Sequence, residues 1–192
     1  MAIYLIRHAQ STPSDALPTA HWPLSELGHR QAEALVPFLT RLDVELVYSS
    51  PYLRAVDTVA PYARARRLKI DTLRELRERD LSPEMTQDWF GSVQRCFENP
   101  KLALGEAESN HTLAARMRQA VFAIGQRHRE PNVAVASHGQ AISALLGSLD
   151  GSFGYERWRA MGLPDVFRLQ LQSGALTWDG TSLRSKIHLP SS

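Results

Sequence analysis

Two short runs of apolar residues each stop at a polar cluster. Residues 2–6 (AIYLI) end at Arg7-His8, and residues 132–136 (NVAVA) end at Ser137-His138-Gly139. A run without polar alternation reads as a strand buried on both faces, and such strands belong to parallel sheets covered by helices. The segments between them carry helical spacing. Residues 9–24 read as a long loop; Ser25 then reads as a helix cap, followed by Leu27, Ala32, Leu35, Val36, Leu39 and Leu42. A second strand is expected at 44–48. Ser50-Pro51 then starts a helix that should bend or stop near Pro61. A weak third strand at 68–73, a helical stretch from Ser82-Pro83 to about Glu98, a loop at 99–109, an amphipathic helix at 110–129 and a helix at 141–149 follow. Residues 166–172 and 175–178 flank Ser173-Gly174 as a hairpin. Strands alternating with helices define an α/β domain with a mostly parallel sheet.

Composition narrows the classes. The length of 192 residues fits one domain, and 43% hydrophobic with 22% charged residues excludes a disordered chain or a rod. Cys96 is the single cysteine, which excludes an internal disulfide or a thiol-only zinc site and points to a reducing, cytoplasmic setting. The opening MAIYLIRHAQ carries no basic leader, and no apolar stretch reaches the ~18 residues of a membrane span. Of the 22 basic residues only Lys69, Lys101 and Lys186 are not arginine. The densest basic run, residues 64–79, lacks aromatic interleaving and any nucleic-acid-binding module, so no nucleic-acid partner is expected.

In parallel sheets, ligands bind beyond the carboxyl ends of the strands. Three clusters fall there: Arg7-His8, Ser49-Ser50-Pro51 with Arg54 one turn on, and Ser137-His138-Gly139. A fold that gathers them puts two histidines and two arginines in one crevice. A tetrahedral dianion suits that set. Guanidinium groups grip its oxygens, a neutral imidazole attacks phosphorus, and a second imidazole bonds the equatorial oxygens. Gly139 lets backbone approach the ligand at a helix N-terminus. A metal site would want a carboxylate or third histidine there, and the arginines would repel the cation. His21, His29, His111, His128 and His188 lack such context.

The sequence resembles the histidine phosphatase superfamily, the phosphoglycerate-mutase-like family. The resemblance rests on LIRHAQST at 5–12, PLSELGHRQAEAL at 23–35, SSPYLRAVDT at 49–58, LRERDLS at 76–82 and VASHGQAI at 135–142, in the family's order. It implies a three-layer α/β/α sandwich over residues 1–192, with 80–112 as a substrate-capping insertion in which Trp89 and Phe90 either reach the substrate or pack in the core. It implies His8 as the nucleophile that becomes phosphohistidine, with Arg7, Arg54 and His138 completing the phosphate pocket. Glu78 matches the acid that protonates the leaving group, with Glu75 one turn away as the alternative. Ser14 matches a residue near the phosphate, and Gly139 a backbone contact. No metal or organic cofactor is implied.

Two positions depart from the family's pattern. Ala9 follows the nucleophile where glycine is usual, which places a methyl where it can tighten the pocket. Gln10 stands where mutases usually carry glutamate. The chain leaves little beyond the core to shield a phosphoenzyme from water, which favours hydrolysis of a small phosphomonoester over mutase chemistry. A phospho-ligand-binding module is the rival from outside the enzymes; intact His8 and Glu78 argue against it.

Overall fold

The computed structural model describes residues 1–80, 82, 85 and 87–190. Six strands form one sheet: β1 (Ile3–Arg7), β2 (Val44–Ser49), β3 (Ile70–Thr72), β4 (Asn132–Ser137), β5 (Asp165–Gln172) and β6 (Ala175–Ser182). Their order is β3-β2-β4-β1-β5-β6. The first four run parallel, β5 lies antiparallel to β1, and β6 antiparallel to β5. The helices are α1 (Glu26–Arg41), α2 (Leu53–Arg66), α3 (Trp89–Glu98), α4 (Asn110–Arg127), α5 (Gly139–Asp150) and α6 (Tyr155–Ala160).

Side-chain alternation along the strands builds two cores. Tyr4, Ile6, Val47, Ala134 and Ala136 face one side and pack with Leu35, Phe38 and Leu39 of α1 and Val59 and Tyr62 of α2. Ile3, Leu5, Val133 and Val135 face the other and pack with Leu113, Met117, Val121 and Ile124 of α4 and Ile142 and Leu145 of α5. The period of two in the strands thus commits successive residues to opposite layers, which gives the expected α/β/α sandwich.

Local chemistry sets the boundaries. Ser25 caps α1 by accepting from Gly28 N at 3.0 Å. The β5–β6 turn places Ser173 at φ 49° and Gly174 at φ 80°, the doubly positive pair of a two-residue hairpin. Two expectations need correction. Helix α2 does not stop at Pro61 but runs on to Arg66. Ala55, Thr58 and Val59 before the proline and Tyr62 and Ala63 after it are buried, and the Tyr62 hydroxyl donates to Val44 O. Packing on both sides offsets the single backbone bond a proline removes. Ser50-Pro51 does not open that helix either: Tyr52 occupies the cap position and α2 begins at Leu53. The short helix α6 carried no clear signal in the sequence. The start expected at Ser82-Pro83 falls partly on residues 81, 83, 84 and 86, outside the described residues; from Trp89 to Glu98 the helix is present.

Candidate active site

The strand order places β4 between β1 and β2, so the ends of these three strands lie side by side. Arg7 pairs with Ser137 at the last rung of β1 and β4. The sheet bonding then continues one residue further on each side, with His8 N donating to Ser137 O at 3.0 Å and Ser50 N to Ala136 O at 2.8 Å. His8, Ser50 and His138 therefore emerge together at one sheet edge, with the His8 and His138 ring centroids 5.3 Å apart.

His8 is held in one tautomer. Its Nδ1 lies 2.7 Å from Ala9 O, an atom that can only accept, so Nδ1 carries the proton. Nε2 keeps its lone pair and accepts from Arg54 Nε at 3.2 Å. Burial, then the positive charge of Arg54, push the His8 pKa from 6.5 to about 3, with Arg7 adding to the shift. The imidazole is neutral throughout the physiological range. His138 is fully buried, and burial followed by the charge of Arg54 pushes its pKa well below 6.5. Its Nε2 lies 2.7 Å from Ser50 Oγ, and its Nδ1 has no partner among the described residues.

The arginines are placed by different means. Arg7 donates to Met161 O at 2.8 Å, while its Nε has no acceptor among the described residues. Gly139 sits against this guanidinium; a Cβ there would lie 3.2 Å from Arg7 Nε and 3.3 Å from Cζ. Arg54 is 5% exposed, is held by Thr19 O, and lies over the rings of Tyr52 and Trp22. The Tyr52 ring in turn meets His138 edge-on, with 5.1 Å between centroids.

Glu78 reaches the same edge from the loop after β3. Its Oε1 accepts from Ala141 N at 3.0 Å and its Oε2 from Gln140 N at 3.1 Å. It thereby caps α5, whose own cap residue, His138, makes no capping bond. A cleft of about 370 Å³ opens above, lined by His8, Ser11, Thr19, Trp22, Tyr52, Arg54, Glu78, Arg79 and Trp89.

Of the residues expected from sequence, the structure gathers Arg7, His8, Arg54, Glu78, His138 and Gly139. Glu75 is exposed and absent from the wall. Ser14 is not brought in: its hydroxyl accepts from Ala16 N in a local turn, and Ser11 lines the cleft instead. Trp89 lines the cleft, whereas Phe90 is 53% exposed and lies under Arg159. The Ala9 methyl does not tighten the pocket. Ala9 is fully buried with Leu24 and Ala32, and its N–H donates to Thr58 Oγ1. Sequence reasoning missed Tyr52 and Arg79. It placed Ser50 in a strand-end cluster but read it as a helix cap, not as the partner of His138.

Two imidazoles facing two guanidinium groups suit a tetrahedral oxyanion and oppose a cation. Among the described residues no cluster of three or more His, Cys, Asp or Glu side chains is placed to hold a metal. No described helix is long and apolar enough to cross a membrane.

An α/β sandwich with a neutral histidine and an arginine-lined cleft at its strand ends suits a phosphoryl-binding protein. The chain belongs to the histidine phosphatase superfamily (branch 1), whose family model matches residues 3–178. Phosphoserine phosphatase 1 of Hydrogenobacter thermophilus is 28% identical over an alignment of 160 residues that covers 78% of this chain and 76% of that protein. A mycobacterial glucosyl-3-phosphoglycerate phosphatase, solved in complex with VO3, superposes with a TM-score of 0.73 at 26% identity, covering 93% of this chain and 96% of that one. A phosphoglycerate mutase from Bacillus anthracis gives 0.72 at 21% identity, covering 94% and 92%, a likeness of fold.

Proposed function

We propose that the protein hydrolyses phosphomonoesters of small metabolites through a phosphohistidine on His8. The observation that carries this reading is the state of His8: Nδ1–H is fixed on Ala9 O, and the Nε2 lone pair stands beside Arg54 in an arginine-lined cleft. The names of the phosphoserine and glucosyl-3-phosphoglycerate phosphatases support a phosphatase acting on a small phosphorylated substrate.

In this reading the phosphoryl group sits between Arg7, Arg54 and His138, whose free donors meet the oxygens as charge spreads onto them. His8 Nε2 forms the bond to phosphorus as the ester oxygen departs, and Glu78 supplies the proton to that oxygen. To do so Glu78 must turn one oxygen away from the α5 N–H groups and arrive protonated. Water then attacks phosphohistidine, with Glu78 as base. Gly139 keeps Arg7 in place, and Trp89 brings the 80–112 segment to the substrate as part of its cap. No metal or organic cofactor takes part.

Surface ion pairs Arg64–Glu33, Arg66–Asp43, Lys69–Asp71 and Arg77–Asp80 break up the basic run, which supports a small-molecule partner over nucleic acid. The buried thiol of Cys96 suits a reducing cytoplasm.

The test is to quench a reaction with a chromogenic ester and look for phosphate on the protein that is stable to base and labile to acid. It should be present in the wild type and absent from His8→Ala, which should also lose turnover. Turnover of His8→Ala near the wild-type rate would overturn the mechanism.

A further inference from the structure

Arg79 follows Glu78 directly and lines the same cleft, yet the phosphoryl mechanism does not use it. It is 2% exposed. One guanidinium nitrogen, Nη2, donates to Asn110 Oδ1, while Nε and Nη1 are buried without an acceptor among the described residues. The Asn110 amide is itself fixed, because its Nδ2 donates to Cys96 O at 2.8 Å and so turns Oδ1 toward Arg79. Glu78 does not neutralise the group through its side chain; Glu78 Oε1 accepts from the Arg79 backbone N–H. A guanidinium removed from water with two nitrogens unpaired is costly unless something else supplies the acceptors.

We propose that Arg79, held by Asn110, forms a subsite for a carboxylate on the substrate, so that the preferred esters are phosphorylated hydroxy or amino acids. The proposal rests on the phosphatase reading and deepens it. The phosphoryl group takes Arg7 and Arg54, which leaves one guanidinium further along the wall. One such cation matches the single charge of a carboxylate. A second phosphate would bring two charges to it, beside the Glu78 carboxylate. The cleft of about 370 Å³ holds an ester of a few carbons with both anionic ends engaged.

The experiment compares matched esters that differ by the carboxylate: phosphoserine against O-phosphoethanolamine, and 3-phosphoglycerate against glycerol 3-phosphate. The wild type should favour the carboxylated member by roughly 10- to 100-fold in kcat/KM, the size of a lost charge-assisted hydrogen bond. Arg79→Met should bring that ratio close to one, chiefly by raising KM for the carboxylated ester. Arg79→Lys, which keeps the charge without the planar fork, should retain part of the preference. A wild type without preference in either pair, or an Arg79→Met protein that keeps the wild-type ratio, overturns the proposal. The wild-type comparison decides even if the variant does not fold. Absence of wild-type turnover of p-nitrophenyl phosphate would instead overturn the phosphatase reading on which it stands.

Discussion

His8 and Glu78 illustrate how the cleft divides its chemistry between two groups that depend on different neighbours. His8, the proposed nucleophile, is neutral without substrate, since burial and Arg54 hold its pKa near 3. The carboxylate, in contrast, is engaged at rest, accepting from the backbone N–H groups of Arg79, Gln140 and Ala141. If its work is to protonate the departing oxygen, its removal should matter in proportion to how poor the leaving group is. An alkoxide needs the proton in the transition state, whereas nitrophenolate leaves without it. General acid catalysis is typically worth ~10²- to 10⁴-fold. Glu78→Gln should therefore lose about that factor on an alkyl phosphate and much less on p-nitrophenyl phosphate, as measured by kcat for the two esters. Equal losses would reassign Glu78 to positioning. The same variant should still form phosphohistidine from the activated ester.

At the scale of elements, the loop that carries Glu78 is clamped from α4. Arg116 donates to the carbonyls of Glu75, Arg77 and Glu78 and pairs with Glu108, both side chains being largely buried. Ser137 Oγ fixes the same loop through Leu76 O at 2.7 Å. Arg116→Met removes one partner of a buried pair and leaves Glu108 uncompensated, which should destabilise by about 3–5 kcal/mol. For a chain of this length that lowers Tm by about 6–20 °C. In the temperature range where the variant stays folded, its rate loss should be larger on the alkyl ester than on p-nitrophenyl phosphate, because the displaced group is Glu78. Thermal melts and the two-ester comparison check both halves; unchanged stability would show that the clamp contributes nothing. This clamp marks a limit of legibility. Arg7, His8, Arg54 and His138 could be read from sequence because strands announce themselves by apolar runs and their ends are fixed by register. Arg116, Ser50 and Arg79 act across sequence separations of 31 to 88 residues. Nothing local distinguishes Arg116 from a surface arginine of an amphipathic helix. Pro61 misled for the same reason: the helix survives on contacts that lie outside its own sequence.

For the whole molecule, the site imposes a pH dependence on folding. An unfolded histidine titrates near 6.5, and His8 in the folded protein near 3. Between these values the unfolded chain binds a proton that the native state refuses, so unfolding gains as pH falls. The stability linked to neutral His8 is fully present above pH 6.5 and is lost progressively toward pH 3. Going from pH 8 to pH 5 spans about 1.5 units of that window, or about 2 kcal/mol at ~1.4 kcal/mol per unit. For a domain of this size the corresponding fall in Tm is about 4–8 °C. His138, fully buried and shifted in the same direction, adds to it. The variant His8→Asn lacks the titrating group but keeps His138 and the acidic residues, whose contributions are common to both proteins. In phosphate-free buffers its Tm should therefore fall less between pH 8 and pH 5 than that of the wild type, by the amount assigned to His8. Parallel Tm curves for the two proteins would mean that folded His8 binds its second proton as readily as the unfolded chain does, near pH 6.5. Below that pH its Nε2 would carry a proton in place of the lone pair, and the reading of a nucleophile kept neutral by burial and Arg54 would fail with it.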